Sequence, residues 1–188
     1  MEQKYYSFDY WFNNPEHDNW HQGSEKYYVN TYYDEIVKKL DIPKEGKIIV
    51  LGTHNCVSFD KLCQYFGYDR TIGYDLYNPK NHPNVIIKNC MELNEKDNID
   101  IAFCHNDLGN YSSTPNLKKH GQEWAAKNIV KGGYMFSNNN LNRAKIDNEG
   151  IMKSENFEIM QLQNLKDIYN LNDLEDSRIE GYMLSKKL

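Results

Sequence analysis

The chain has 188 residues, enough for one well-packed domain and too few for two. Its net charge of −5, from 22 Lys and Arg against 27 Asp and Glu with no long run of either sign, argues against a broad nucleic-acid footprint. No apolar run approaches a membrane span and no N-terminal stretch has the layout of a secretion signal, so the expectation is a soluble, cytoplasmic protein without a membrane partner.

Residues 1–24 are rich in rings: Tyr5, Tyr6, Phe8, Tyr10, Trp11, Phe12 and Trp20. So much apolar surface has to pack on something. A flap over the sheet, a subunit contact in a homo-oligomer, and a lid over a ligand all satisfy that demand. His17, Asp18 and His21 read as polar surface rather than as a metal site. The remaining residues, 25–188, are expected to form the single domain. Ser24 suits a helix N-cap, and Tyr28, Tyr32, Ile36, Val37 and Leu40 follow at helical spacing until Pro43 and Gly46 interrupt.

The most informative stretch is residues 47–75. An apolar run, Ile48, Ile49, Val50 and Leu51, reaches Gly52 and a short polar loop. Phe59, Leu62, Cys63 and Phe66 then recur at helical spacing, and Gly67 stops the helix. A second β-rich run over 71–74 ends on Asp75. This spacing predicts strand, tight turn, helix and strand. In open α/β sheets, ligands bind beyond the carboxyl ends of the strands, where a helix N-terminus offers free N–H groups. An acid closing the second strand, about 20 residues after the turn, is placed to hold a ribose.

Next come Leu76 and a segment broken by Pro79 and Pro83, before a third strand over 85–88. That leaves only residues 76–84 for the connection, whereas a parallel crossover ordinarily needs a dozen or more. A single helical turn or none fits there. Residues 99–104 form a fourth strand with His105, Asn106 and Asp107 at its carboxyl tip. Thr114 and Pro115 suit N-cap and N1 of a helix carrying Leu117, Trp124, Ala125 and Ile129, which Lys131, Gly132 and Gly133 should end. A fifth strand over 134–136 leads to Ser137, Asn138, Asn139 and Asn140. Residues 141–155 read as a polar connection or partial helix, 157–161 as a strand, 165–176 as an acidic linker and 178–186 as the closing strand. Cys56, Cys63, Cys90 and Cys104 form no CxxC pair and read as reduced core thiols.

Taken together, VLGTHNCVSFDKL, IGYD, NCMELN, IDIAFCHND, KGGYMFSNN and the tail pieces FEIMQLQ and RIEGYMLSKKL resemble, in order and spacing, the motifs of the class I S-adenosylmethionine-dependent methyltransferases over residues 27–188. The first motif departs from the family pattern: Gly52 is kept, but His54, Cys56 and Ser58 stand where later small residues are usual. The resemblance implies an α/β three-layer sandwich whose mostly parallel, Rossmann-like sheet ends in an antiparallel C-terminal strand. It further implies S-adenosylmethionine as cofactor and S-adenosylhomocysteine as product. Gly52, Thr53, His54, Asn55 and Ser58 would cradle the methionine end, Asp75 would hold the ribose with Leu76 next to it among the cofactor-binding residues, and Met91 and Glu92 would flank the base, unless Glu92 only starts a short surface turn before Asp97. His105, with Asp107 beside it, is the nominated general base, since an unperturbed imidazole titrates near neutral pH. One carboxylate among neutral asparagines at these tips is a poor net for Mg²⁺, so no metal is expected. Methyl transfer to an oxygen or nitrogen of a small-molecule or sugar-like acceptor is the leading reading. A catalytically silent binding module is the alternative, and the lack of GxGxxG argues against a dinucleotide oxidoreductase.

Overall fold

β1, Ile48–Leu51, is buried along its whole length, as the continuous apolar run requires of a central parallel strand covered on both faces. The structure is a computed structural model that describes residues 46–53, 56–76, 78, 80–104, 116–138, 148–161 and 182–188. The N-terminal arm, the helix expected after it, the Thr114–Pro115 cap and the acidic linker lie outside the described residues.

After β1 come helix α1 (Val57–Phe66), β2 (Thr71–Asp75), β3 (Val85–Ile87), a 3-10 turn (Cys90–Glu92), β4 (Ile99–Cys104), α2 (Asn116–Asn128), β5 (Ile129–Asn138), α3 (Asn148–Ser154), β6 (Phe157–Gln161) and β7 (Tyr182–Lys187). The strands form one sheet in the order β3-β2-β1-β4-β5-β7-β6. Neighbours from β3 to β5 run parallel, and β7 is antiparallel to both β5 and β6. This is the expected α/β architecture with its antiparallel C-terminal strand.

Strand alternation divides the core into two layers. Ile49, Leu51, Ala102, Cys104 and Met135 join Trp124, Ala125 and Ala126 of α2 and Ile151 and Met152 of α3 in one buried cluster. On the opposite face α1 brings Phe59, Leu62 and Cys63 into the core. There the rings of Phe66, Phe103 and Phe136 pack in series, at 6.1 Å and 5.9 Å. Helices cover both faces of the sheet, which makes the three layers.

Two sequence expectations are revised. The first concerns β5, which begins at Ile129 directly after α2 rather than at Tyr134, so Lys131, Gly132 and Gly133 lie within the strand. Asn128 ends the helix by donating from Nδ2 to Trp124 O at 2.8 Å, and its Oδ1 accepts from Asp97 N at 2.7 Å. Ile129 can then pair with Ile99, and the register jumps so that Tyr134 faces Ile101. Gly132 absorbs the irregularity at φ 83°, and a Cβ on Gly133 would stand 2.7 Å from Asp100 O. The glycine pair that reads as a helix stop is a β-bulge. The closing strand is the second revision: it runs Tyr182–Lys187, one residue further than expected, and residues 178–181 lie outside the described residues.

The short connection between β2 and β3 does join parallel neighbours. Val85 pairs with Gly73 and Ile87 with Asp75, so the chain retreats only two residues along β2, about 7 Å, before it turns forward again. So small a retreat needs no crossover helix.

All four cysteines are buried, and none forms a disulfide. Burial pushes the thiols of Cys63 and Cys90 up to about 12 from an ordinary 9.0. Above pH 9.0 the unfolded chain therefore gives up these protons before the folded chain does, so stability should fall as pH climbs from 9.0 toward about 12. Thermal melts between pH 7 and 10 should show this fall, and a Cys63→Ala, Cys90→Ala double variant should show a shallower one. In the native protein both thiols should also resist alkylation at neutral pH.

Candidate cofactor site

At the carboxyl end of β1 the chain turns on Gly52, whose φ of 86° is one that side chains disfavour. Its N–H donates to Tyr74 O at 2.9 Å, which keeps the turn beside β2. Thr53 follows, only 4% exposed. Its backbone N–H donates to Asp75 Oδ2 at 2.6 Å and its hydroxyl reaches the same oxygen at 3.3 Å. Asp75 Oδ1 accepts from the N–H of Leu76 at 2.7 Å. The carboxylate thus lies at the mouth of the crevice, 9% exposed, as the hinge between the glycine turn and the end of β2. Hydrogen bonds of this kind to an ionised acceptor are short and strong.

Gly73 explains how the turn fits. Lying two residues before Asp75 on the same face, it leaves room for Thr53 and Phe59: a Cβ there would overlap Thr53 Cγ2 and stand 3.0 Å from Phe59 Cε2 and Cζ. A glycine inside a buried strand is the sequence mark of such a close approach, and the expectations above did not use it.

The turn ends on Cys56, whose N–H donates to Thr53 O at 2.9 Å and whose own carbonyl accepts the first bond of α1, from Asp60 N at 2.8 Å. Cys56 holds φ 67°, and its side chain does not cap the helix. An L-residue in this left-handed conformation costs about 1–2 kcal/mol. The backbone shape natural to glycine is thus kept by a cysteine at one of the positions where the resemblance expects a small residue.

On the other side of Asp75, its carbonyl accepts from Lys88 N at 2.8 Å, which brings the end of β3 alongside. Asn89 then caps the 3-10 turn by accepting from Met91 N at 2.9 Å. Leu76 is 37% and Met91 43% exposed, two large apolar side chains left open at this edge, and Glu92 is exposed beside them. Thr53, Asp75 and Leu76 are therefore linked by direct hydrogen bonds, Gly52 is held beside them through Tyr74, and Met91 and Glu92 lie in the 3-10 turn that follows β3. Ser58 falls in the first turn of α1. His54, Asn55, His105 and Asp107 lie outside the described residues, although β4 delivers the chain to Cys104 in register with Leu51. Among the described residues no group of three His, Cys, Asp or Glu side chains could hold a metal ion, and no helix is long and apolar enough to cross a membrane.

Solved structures share this fold over most of the chain. Magnesium protoporphyrin IX methyltransferase from Synechocystis, with bound SAM, superposes with a TM-score of 0.63 at 14% identity, covering 95% of this chain and 94% of its own. The chain has a SAM-dependent methyltransferase fold. A TehB-like SAM-dependent methyltransferase from Corynebacterium glutamicum matches this fold at TM-score 0.57 and 13% identity, over 93% of this chain and 100% of its own. So does the [4+2]-cyclase SpnF, at TM-score 0.55 and 10% identity over 89% and 83%. No protein-family model and no curated sequence matches the chain.

Proposed function

We propose that the chain binds S-adenosylmethionine across the carboxyl ends of β1, β2 and β3 and transfers its methyl group to an oxygen or nitrogen of a small-molecule or sugar-like acceptor. The observation that carries this reading is the Asp75 carboxylate, buried at the crevice and bonded to the turn that follows β1. The residues present suit an adenosine. A carboxylate at this position is an acceptor of the kind a ribose hydroxyl needs, and the exposed Leu76 and Met91 offer apolar surface to a base. Glu92 is placed to accept from an exocyclic amine. In this reading the Gly52 turn lets the backbone pass close to the methionine end, with Thr53, His54, Asn55 and Ser58 cradling it at the start of α1.

When bound, the cofactor supplies an electrophilic methyl on a sulfonium. What this chain adds is alignment of the acceptor with that methyl, with His105 holding the proton of a hydroxyl acceptor and Asp107 beside it. The aromatic arm of residues 1–24 serves as the lid or subunit contact, and the protein is cytoplasmic.

A silent binding module is the second reading. It is favoured by the two main-chain N–H groups that already occupy Asp75 and by Cys56 in place of a small residue. Calorimetric titration of the purified chain with S-adenosylmethionine, S-adenosylhomocysteine and NAD separates the two. Saturable binding of the first two alone supports the enzyme, and an acceptor screen follows. No heat with any of the three overturns it in favour of the module.

A further inference from the structure

The described residues between β2 and β3 are held by a side-chain network that reaches the glycine turn and α1. Asn78 bonds the main chain of His82 twice, accepting from its N–H at 2.8 Å and donating to its carbonyl at 2.8 Å. The same Asn78 Oδ1 lies 3.8 Å from Cys56 Sγ, at the end of the glycine turn. His82 is set deeper, its side chain 10% exposed. Phe59 meets the imidazole edge-on at 4.9 Å, and Tyr68 stacks on it at 6.1 Å.

The tautomer of His82 follows from its partners. Nδ1 faces the main-chain N–H of Asn84 at 3.2 Å. A main-chain N–H can only donate, so Nδ1 carries the lone pair and Nε2 the proton. Nε2 stands 3.1 Å from Asp60 Oδ1 and donates to it. Asp60 also accepts from Tyr68 Oη at 2.7 Å and from Gln64 Nε2 at 2.7 Å, and the Tyr68 bond leads the effects that hold its carboxyl below the ordinary range. Asp60 sits in the first turn of α1, the helix that begins where the Gly52 turn ends. One helix therefore carries the turn at its start and, through Asp60, grips the segment that leaves Asp75.

We propose that His82 is a positioning residue for the nucleoside end of the ligand. Through Asp60 it clamps the end of the connection, at residues 82–84, to α1, so that Leu76, Asp75 and the glycine turn keep one spacing. It does not touch the ligand. This rests on the reading of the site given above. The connection's own turn bonds, Asn81 N to Asn78 O at 3.1 Å and Val85 N to His82 O at 3.2 Å, and the bond from Asn84 Nδ2 to Thr71 O hold it to itself and to β2, whereas the His82–Asp60 pair ties it to α1.

The test is calorimetric titration of S-adenosylhomocysteine into the full chain and into His82→Ala, Asp60→Ala and the double variant, with thermal melts of each. Loss of one hydrogen bond to a charged group should weaken binding about tenfold in His82→Ala. The double variant should be no weaker than Asp60→Ala alone, because the two side chains act as one unit. His82→Gln, whose amide can still donate to Asp60, should recover part of the affinity. Should His82→Ala fail to fold, the same comparison runs on His82→Gln and Asp60→Asn. Melts that fall while affinity stays within about twofold of the parent, a difference too small for a hydrogen bond, would make His82 purely structural and overturn the proposal. Absence of binding by the unmodified chain would instead overturn the reading of the site, and the proposal with it.

Discussion

Asp75→Ala should weaken S-adenosylhomocysteine binding by about 100-fold, a loss of two or so hydrogen bonds to a charged acceptor. Two effects combine. The ribose loses its acceptor, and the main-chain N–H groups of Thr53 and Leu76, now bonded to the carboxylate at 2.6 Å and 2.7 Å, lose theirs. A buried donor left without a partner costs about 1–3 kcal/mol, so the melting temperature should fall with the affinity. Asp75→Asn separates the two contributions. Its amide oxygen can serve one of the two N–H groups, whereas its NH₂ must face the other. The asparagine variant should therefore bind more tightly than the alanine variant yet melt below the parent. Calorimetry and thermal melts read both quantities. An Asp75→Ala chain that binds the nucleoside as the parent does would remove Asp75 from the site.

Gly73→Ala is expected to act on the same turn from beneath. The added methyl overlaps Thr53 Cγ2 and presses on the Phe59 ring at 3.0 Å. Overpacking of this kind costs about 1–3 kcal/mol, which for a chain of this size lowers the melting temperature by roughly 5 °C. Because the displaced residue is Thr53, the bond from its N–H to Asp75 should lengthen, and ligand affinity should fall in parallel with stability. Thr53→Ser in the same chain removes the overlapping methyl and keeps the hydroxyl. The Gly73→Ala, Thr53→Ser double variant should regain part of both losses. A Gly73→Ala protein that melts and binds like the parent would mean that the turn has slack which the contacts do not show.

Both substitutions act where short-range and long-range order meet, and the chain divides along that line. The run Ile48 to Leu51, the helical spacing from Phe59 to Phe66, the stop at Gly67 and the acid at the end of β2 were all legible in the sequence. Each follows from periodicity and local backbone preference within a dozen residues. The same holds for β4 and β6, and for the approach of Gly52, Thr53 and Asp75, since a strand, turn, helix and strand in that order bring the two strand ends together.

Other features were decided only by which residues come to lie opposite one another. Lys131, Gly132 and Gly133 carry every local sign of a helix end, yet pairing of Ile129 with Ile99 draws them into β5 as a bulge. Residues 76–84 look too few for a parallel crossover until the register places Val85 beside Gly73 and shortens the distance to be covered. No residue pattern marks Cys56 for a left-handed conformation, which the turn imposes by bonding its N–H to Thr53 O. His82 and Asp60 are unremarkable polar residues in the sequence. They become a clamp because α1 and the connection pack together, and a largely buried imidazole there must find a partner for each nitrogen. By itself, the sequence determined the elements, their order and the acid at the crevice, because those depend on neighbours along the chain. Register, strain and polar pairing depend on neighbours in space, and only the tertiary structure settled them.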